Sequence, residues 1–82
     1  MSFKEEAYEK IVSFLGMVFD VEPEDLSPET DIFTDLGAKS VNISQMSNFI
    51  QDEYEVSVNF VELRKQETIA KIVDFIVELC DY

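Results

Sequence analysis

The stretch Asp35-Leu36-Gly37-Ala38-Lys39-Ser40-Val41 carries the chain's most suggestive chemistry, a serine hydroxyl preceded by a glycine and a lysine and followed by an apolar residue. Gly37 can take a positive φ, and Ser40 suits the N-cap of a following helix. A hydroxyl at that place has two uses. As a cap it accepts a hydrogen bond from a backbone N–H, worth about 1 kcal/mol. As an attachment point it holds a phosphodiester where free N–H groups and the positive end of the helix dipole face the anion. Position alone does not choose between them. Nothing nearby in sequence could act as a base for the serine, so as a nucleophile in its own right it is weak.

Other reactive constellations are absent or poorly formed. The chain has no His to shuttle protons near neutral pH and one cysteine, Cys80, so it holds neither a Cys/His metal set nor an internal disulfide. Asp20, Glu22, Glu24 and Asp31 loosely imitate a calcium loop, but Asp25 stands where that loop needs glycine and Asp31 where it needs a bidentate glutamate. No metal site is expected. The remaining carboxylates are scattered, and a paired-carboxylate enzyme needs a cleft that a domain this small rarely has.

The elements that must position Ser40 are legible from periodicity. Ser2 with Glu5 forms a capping box, after which Phe3, Ala7, Ile11, Phe14, Leu15 and Val18 recur at helical spacing. Gly16 lies inside this first helix at some cost, and Asp20 to Pro23 end it. From Asp20 to Lys39 the periodicity fades into turn chemistry around Pro23 and Pro28, a long connection pinned by Leu26, Ile32, Phe33 and Leu36. A second helix is expected from Ser40 to about Glu55, with Val41, Ile43, Met46, Phe49, Ile50 and Tyr54 apolar. Asn59 caps a short turn from Phe60 to Arg64. Thr68 caps a last helix whose face is Ile69, Ile72, Val73, Ile76, Leu79 and Cys80. The fold class is therefore all-α, a small bundle of three main helices plus one short helix with a long first crossover loop. No repeat, low-complexity tract or internal boundary divides residues 1–82, which are expected to form one domain, with Met1 and a compact end at Tyr82 suggesting a stand-alone chain.

At 82 residues and 46% hydrophobic the chain can build one economical core. A net charge of -12 repels phosphate backbones and anionic lipid surfaces, which argues against nucleic-acid and membrane partners and for basic protein partners. No apolar run approaches a membrane span and no signal peptide is present. A reducing, cytoplasmic setting and a monomer are expected.

The segment "FTDLGAKSV", preceded by "VEPEDLSPETDI" and followed by a helix, resembles the acyl carrier protein family, whose motif is an acidic residue, Leu-Gly, a variable residue, Asp, Ser and an aliphatic residue. The resemblance extends over nearly the whole chain, through the Glu53-Tyr54 helix end to the closing "TIAKIVDFI". It implies that Ser40, with Gly37 and Lys39 beside it, is where a phosphopantetheinyl transferase attaches the 4'-phosphopantetheine arm of coenzyme A. It further implies that the arm's thiol carries an acyl, polyketide-type or aminoacyl intermediate as a thioester. Val41, Asn42, Ser44, Gln45 and Asn48 would then form the docking face for acyl-loading and synthase enzymes with basic or polar patches. Phe33, Met46, Phe49, Ile50 and Ile69 would line an acyl cleft, where each buried methylene gains about 0.8 kcal/mol.

Two departures from that pattern stand out. Lys39 occupies the place of the usual Asp and reverses the charge beside the serine. From Leu36 to Gln51 there is no acidic residue, and Asn42, Gln45, Asn48 and Gln51 recur every three residues with Ser44 and Ser47 among them. Such a face fits a carrier of a dedicated pathway whose enzymes recognise less charge. The rival reading is an unmodified acidic adaptor with a carrier-like fold, of which Lys39 would be the sign.

Overall fold

The structure, a computed structural model, describes residues 1–81; the expected compact end at Tyr82 lies outside them. The elements in chain order are α1 (Phe3–Phe19), a single 3-10 turn (Pro23–Asp25), α2 (Ser40–Tyr54), α3 (Phe60–Arg64) and α4 (Ile69–Leu79). Among the described residues there is no strand, so the all-α architecture with three main helices and one short one is observed.

Helix α1 begins with both halves of its capping box, the Glu5 N–H donating to Ser2 Oγ at 3.1 Å and the Ser2 N–H to Glu5 Oε1 at 3.1 Å. It ends at Asp20 in the left-handed region, φ 56. The glycine inside α1 now has a reason. A Cβ on Gly16 would meet the carbonyl oxygen of Val21 at 2.9 Å, because the chain turns back across the helix end there. The helical cost of glycine, about 1 kcal/mol, is the smaller of the two penalties.

The crossover is more ordered than its turn chemistry suggests. Leu26 and Ile32 are buried, while Phe33 and Leu36 pack half-buried against the core. Its backbone is stitched to the start of α4: the Ile69 N–H donates to Thr30 O at 3.1 Å, the Ala70 N–H to Pro28 O at 2.9 Å, and the Ile32 N–H to Glu67 O at 2.9 Å. Asp31 and Thr68 form an isolated antiparallel bridge. The bonds from Ile69 and Ala70 satisfy donors that every helix start leaves orphaned, and Thr68 Oγ1 accepts from the Lys71 N–H at 3.3 Å as the expected cap. The loop and α4 therefore complete each other.

The core runs through Ala7, Ile11 and Leu15 of α1, Ile43, Met46 and Ile50 of α2, Leu63 of α3, and Ile69, Ile72, Val73 and Ile76 of α4. Along the α1–α2 seam Phe14 stacks on Phe49 with centroids 4.6 Å apart, and Phe3 meets the Tyr54 ring edge-on at 5.7 Å. Lys10 Nζ pairs with Glu53 Oε2 at 2.8 Å over that seam. Val41, the apolar residue in the first turn of α2, is 62% exposed, and burial along that stripe begins at Ile43.

Candidate functional site

The turn that delivers Ser40 is organised by two aspartates. Asp31 Oδ1 accepts from the N–H groups of Phe33 at 2.8 Å and Thr34 at 3.0 Å, and Asp35 Oδ2 accepts from the Asp31 N–H at 2.9 Å. Gly37 takes φ 70, as its type allows, so that its N–H reaches Phe33 O at 3.1 Å while the Ala38 N–H reaches Ile32 O at 2.9 Å. The chain then leaves the turn in extended form at Lys39 and enters α2.

Hydrogen bonds from the backbone N–H groups of Thr34 and Phe33 hold the Asp31 carboxyl below its usual range, with Lys71 adding a smaller pull. A carboxylate with a depressed folded pKa stabilises the fold above its unfolded value, near 3.8, and loses that contribution as pH falls through the folded pKa. The stability gap between the parent and Asp31→Asn is therefore expected to stay level from neutral pH to about pH 5 and to close below about pH 4, followed by urea melts across that range. A gap that widened on acidification would show that the carboxylate does not fasten this turn.

Ser40 is not the N-cap. The helix is capped by Lys39, and Ser40 is the first residue with helical geometry. The side-chain bond at this helix start comes from the third helical residue: Asn42 Oδ1 accepts from the Lys39 N–H at 2.8 Å. Lys39 cannot answer it, since an ammonium group has no acceptor. The Ser40 hydroxyl is exposed and makes no hydrogen bond among the described residues. Lys39 is exposed and belongs to none of the ion pairs found among the described residues.

The neutral row on α2 divides once it is folded. Asn42 is half-buried, serves the helix start and donates from Nδ2 to Gln45 Oε1 at 3.2 Å. Gln51 Oε1 accepts from the Val58 N–H at 2.9 Å and so ties α2 to the segment before α3. Val41, Ser44, Gln45 and Asn48 are exposed, whereas Ser47 is buried. Sequence spacing grouped these polar residues as one face, and it gave no hint that Asn42 and Gln51 bond to backbone.

Of the five residues placed in an acyl cleft, Met46, Ile50 and Ile69 are sealed in the core, and Phe33 and Phe49 are half-buried. Two grooves open on the surface. One of about 530 Å³ lies between α1 and α2 and is lined by Lys10, Phe14, Met17, Phe49 and Glu53. The other, about 610 Å³, is bounded by Tyr8, Pro28, Ala70 and Val73. Phe49 alone of the five lines either. Burial pushes the Cys80 thiol up, which makes it a weak competitor for thiol chemistry. No group of three or more potential ligands among the described residues is placed to hold a metal ion. None of the described helices is long and apolar enough to cross a membrane.

A small helical bundle that presents an exposed, unengaged serine at the foot of its second helix has the form of a carrier domain. The phosphopantetheine attachment site family matches residues 9–76, and the chain belongs to that family. Its relatives include an acyl carrier protein of Thermotoga maritima, 28% identical over 76 residues, which span 93% of this chain and 94% of the relative. Another, from Chlorobium phaeobacteroides, is 29% identical over 75 residues, or 92% of this chain and 91% of that one. The solved structure of an acyl carrier protein from Enterococcus faecalis superposes with a TM-score of 0.81 at 26% identity, covering 95% of this chain and 99% of the other. Proteins of this family carry acyl groups on a covalently attached 4'-phosphopantetheine, and they are carriers rather than enzymes. They meet a phosphopantetheinyl transferase and synthase enzymes in the course of that work.

The residues around Ser40 suit such a group. Between Leu36 and Gln51 there is no acid to repel a phosphodiester, and the space beside Gly37 is open, with no atom within 4 Å of where a Cβ would lie.

Proposed function

We propose that Ser40 is the attachment site of the arm and that the protein carries acyl or related intermediates for a specialised biosynthetic pathway in the cytoplasm. The observation that supports this most directly is the Ser40 hydroxyl itself, exposed and free of hydrogen bonds within the family-matched region. In loading, Ser40 Oγ forms a bond to phosphorus as the phosphoanhydride oxygen of coenzyme A departs. Its proton passes to a base that the transferase supplies, since this chain offers none beside it. The arm's terminal thiol then holds the cargo as a thioester.

The experiment is intact mass. After incubation with coenzyme A and a broad-specificity transferase, the chain is expected to gain the mass of one phosphopantetheine, located by peptide mapping on the segment that contains Ser40. No gain, even with Lys39→Asp, would sink the carrier reading and leave the acidic adaptor.

The docking face we assign to Val41, Asn42, Ser44, Gln45 and Asn48 lacks acids, and complementarity of charge sets partner choice more than it sets raw affinity. Enzymes that present basic patches are therefore expected to bind it poorly. The triple variant Asn42→Asp, Gln45→Glu, Asn48→Glu is expected to bind a basic-patch fatty-acid synthase enzyme more tightly at low salt, and Asn42→Asp keeps the oxygen that the Lys39 N–H needs. Unchanged binding by calorimetry would show that this face does not select the partner. Met46, Ile50 and Ile69, with Phe33 and Phe49 at the margin, remain our proposed cleft, one that must open by parting packed side chains.

A further inference from the structure

Helix α1 carries a second stripe beside the one it buries. Glu6, Lys10, Ser13 and Met17 recur at spacings of four, three and four, and they line one side of the groove of about 530 Å³ along the α1–α2 seam. Phe49 and Glu53, four apart on α2, line the other. The stacked rings of Phe14 and Phe49, with centroids 4.6 Å apart, form an apolar stretch between the two. The pairs Lys10–Glu53 and Phe14–Phe49 show that the helices run antiparallel, so the ends of the groove differ in chemistry. Toward the start of α1 stand Glu6, Glu9 and Glu53. Toward its end stands Met17, which is 76% exposed.

Lys10, which also lines the groove, is already engaged: its Nζ lies 2.8 Å from Glu53 Oε2 and 5.6 Å from the centre of the Tyr54 ring. The carboxylates of Glu6 and Glu9 belong to no ion pair among the described residues. An apolar floor with an unneutralised acidic end is complementary to a cationic, amphipathic occupant. A second copy of the chain would bring another net charge of -12 against this rim, and an anionic lipid surface would be repelled in the same way. We propose that the groove between α1 and α2 is a docking surface for a cationic amphipathic helix of a partner protein. Its apolar side chains seat on Met17 and the Phe14–Phe49 stack, and its Lys or Arg side chains meet Glu6 and Glu9. From Glu6 to Met17 the groove follows eleven residues of α1, so a partner helix of about three turns spans it. None of Ser40, Val41, Ser44, Gln45 and Asn48 lines this groove, so a partner held there leaves the attachment serine and the start of α2 uncovered. This surface goes beyond the carrier reading and does not depend on loading.

The test titrates isotope-labelled chain with a set of synthetic helices of about eleven residues, each with Leu along one face and Arg near one end. At least one is expected to bind with its largest NMR shifts at the Met17 methyl and the Phe14 and Phe49 rings, whereas a copy with Ser in place of Leu binds at least about tenfold more weakly. Met17→Ser is expected to weaken binding about three- to tenfold, and Glu6→Lys with Glu9→Lys by about tenfold or more at low salt and less at high salt. All three residues are exposed, so the variants are expected to keep the fold, checked by their urea midpoints. Glu24→Lys with Glu78→Lys makes the same change in net charge at exposed positions off the groove and is expected to weaken binding less than about threefold. Equal losses from the two charge pairs, shifts spread over the acidic surface, or no binding up to about 1 mM overturns the proposal. Shifts at Met17, Phe14 and Phe49 that depend on protein concentration without any peptide would assign the groove to a second copy and overturn it equally.

Discussion

Ser40→Ala is expected to leave the loading reaction with its mass unchanged and its fold intact. The two readouts separate the two uses of a hydroxyl at a helix start. Were the oxygen a cap, its removal would cost about 0.5–2 kcal/mol. It lies instead on the first helical residue, exposed and without a hydrogen bond, with Asn42 Oδ1 holding the Lys39 N–H in its place. Alanine is the better helix former, so the unloaded variant is expected to match or slightly exceed the parent, within about 0.5 kcal/mol. Urea midpoints measure one half and intact mass the other. A loss of a full kcal/mol or more would mean that the oxygen has a structural partner, and uptake of an arm by the variant would move the attachment elsewhere.

Ile50→Ala carries the largest expected change in stability. Ile50 is fully buried on α2 and belongs to the same core cluster as Met46 and Ile69. Truncation of an isoleucine in such a place costs about 2–5 kcal/mol, with the spread set by how far the surroundings collapse. Domains of this kind have only about 5–15 kcal/mol in total, and a chain this short belongs near the lower end. The urea midpoint is expected to fall steeply with an unchanged slope. A loss below about 1 kcal/mol would reveal an interior that closes easily around a void. That outcome bears on function as well, because Met46, Ile50 and Ile69 are the side chains an acyl chain would have to part. Burial of each methylene gains about 0.8 kcal/mol, so an interior that resists collapse favours cargo long enough to offset the lost packing.

The helices were legible because each is written twice, once as a stripe of apolar residues at helical spacing and once as a cap. Ser2, Asn59 and Thr68 accept from the N–H groups that their positions imply. The apolar stripe of α2 starts at Val41 in the sequence, but burial starts at Ile43, because periodicity does not say how far the neighbouring helices reach. Gly16 read as a flaw in α1 until the return of the chain brought Val21 O beside it. The family of the chain was readable from the Leu36-Gly37 step and Ser40, since a short motif of fixed spacing survives where overall identity is low.

The residue types and their spacing determined the elements, the acidity, the absence of an internal base and the serine at the head of α2. Only the folded chain decided what that serine does locally. Hydrogen bonds form between atoms that meet, and sequence distance does not say which oxygen reaches the Lys39 N–H or which carbonyls of the crossover turn toward α4. In this protein Asn42 takes the capping role, the crossover satisfies α4, and the hydroxyl of Ser40 is left to solvent.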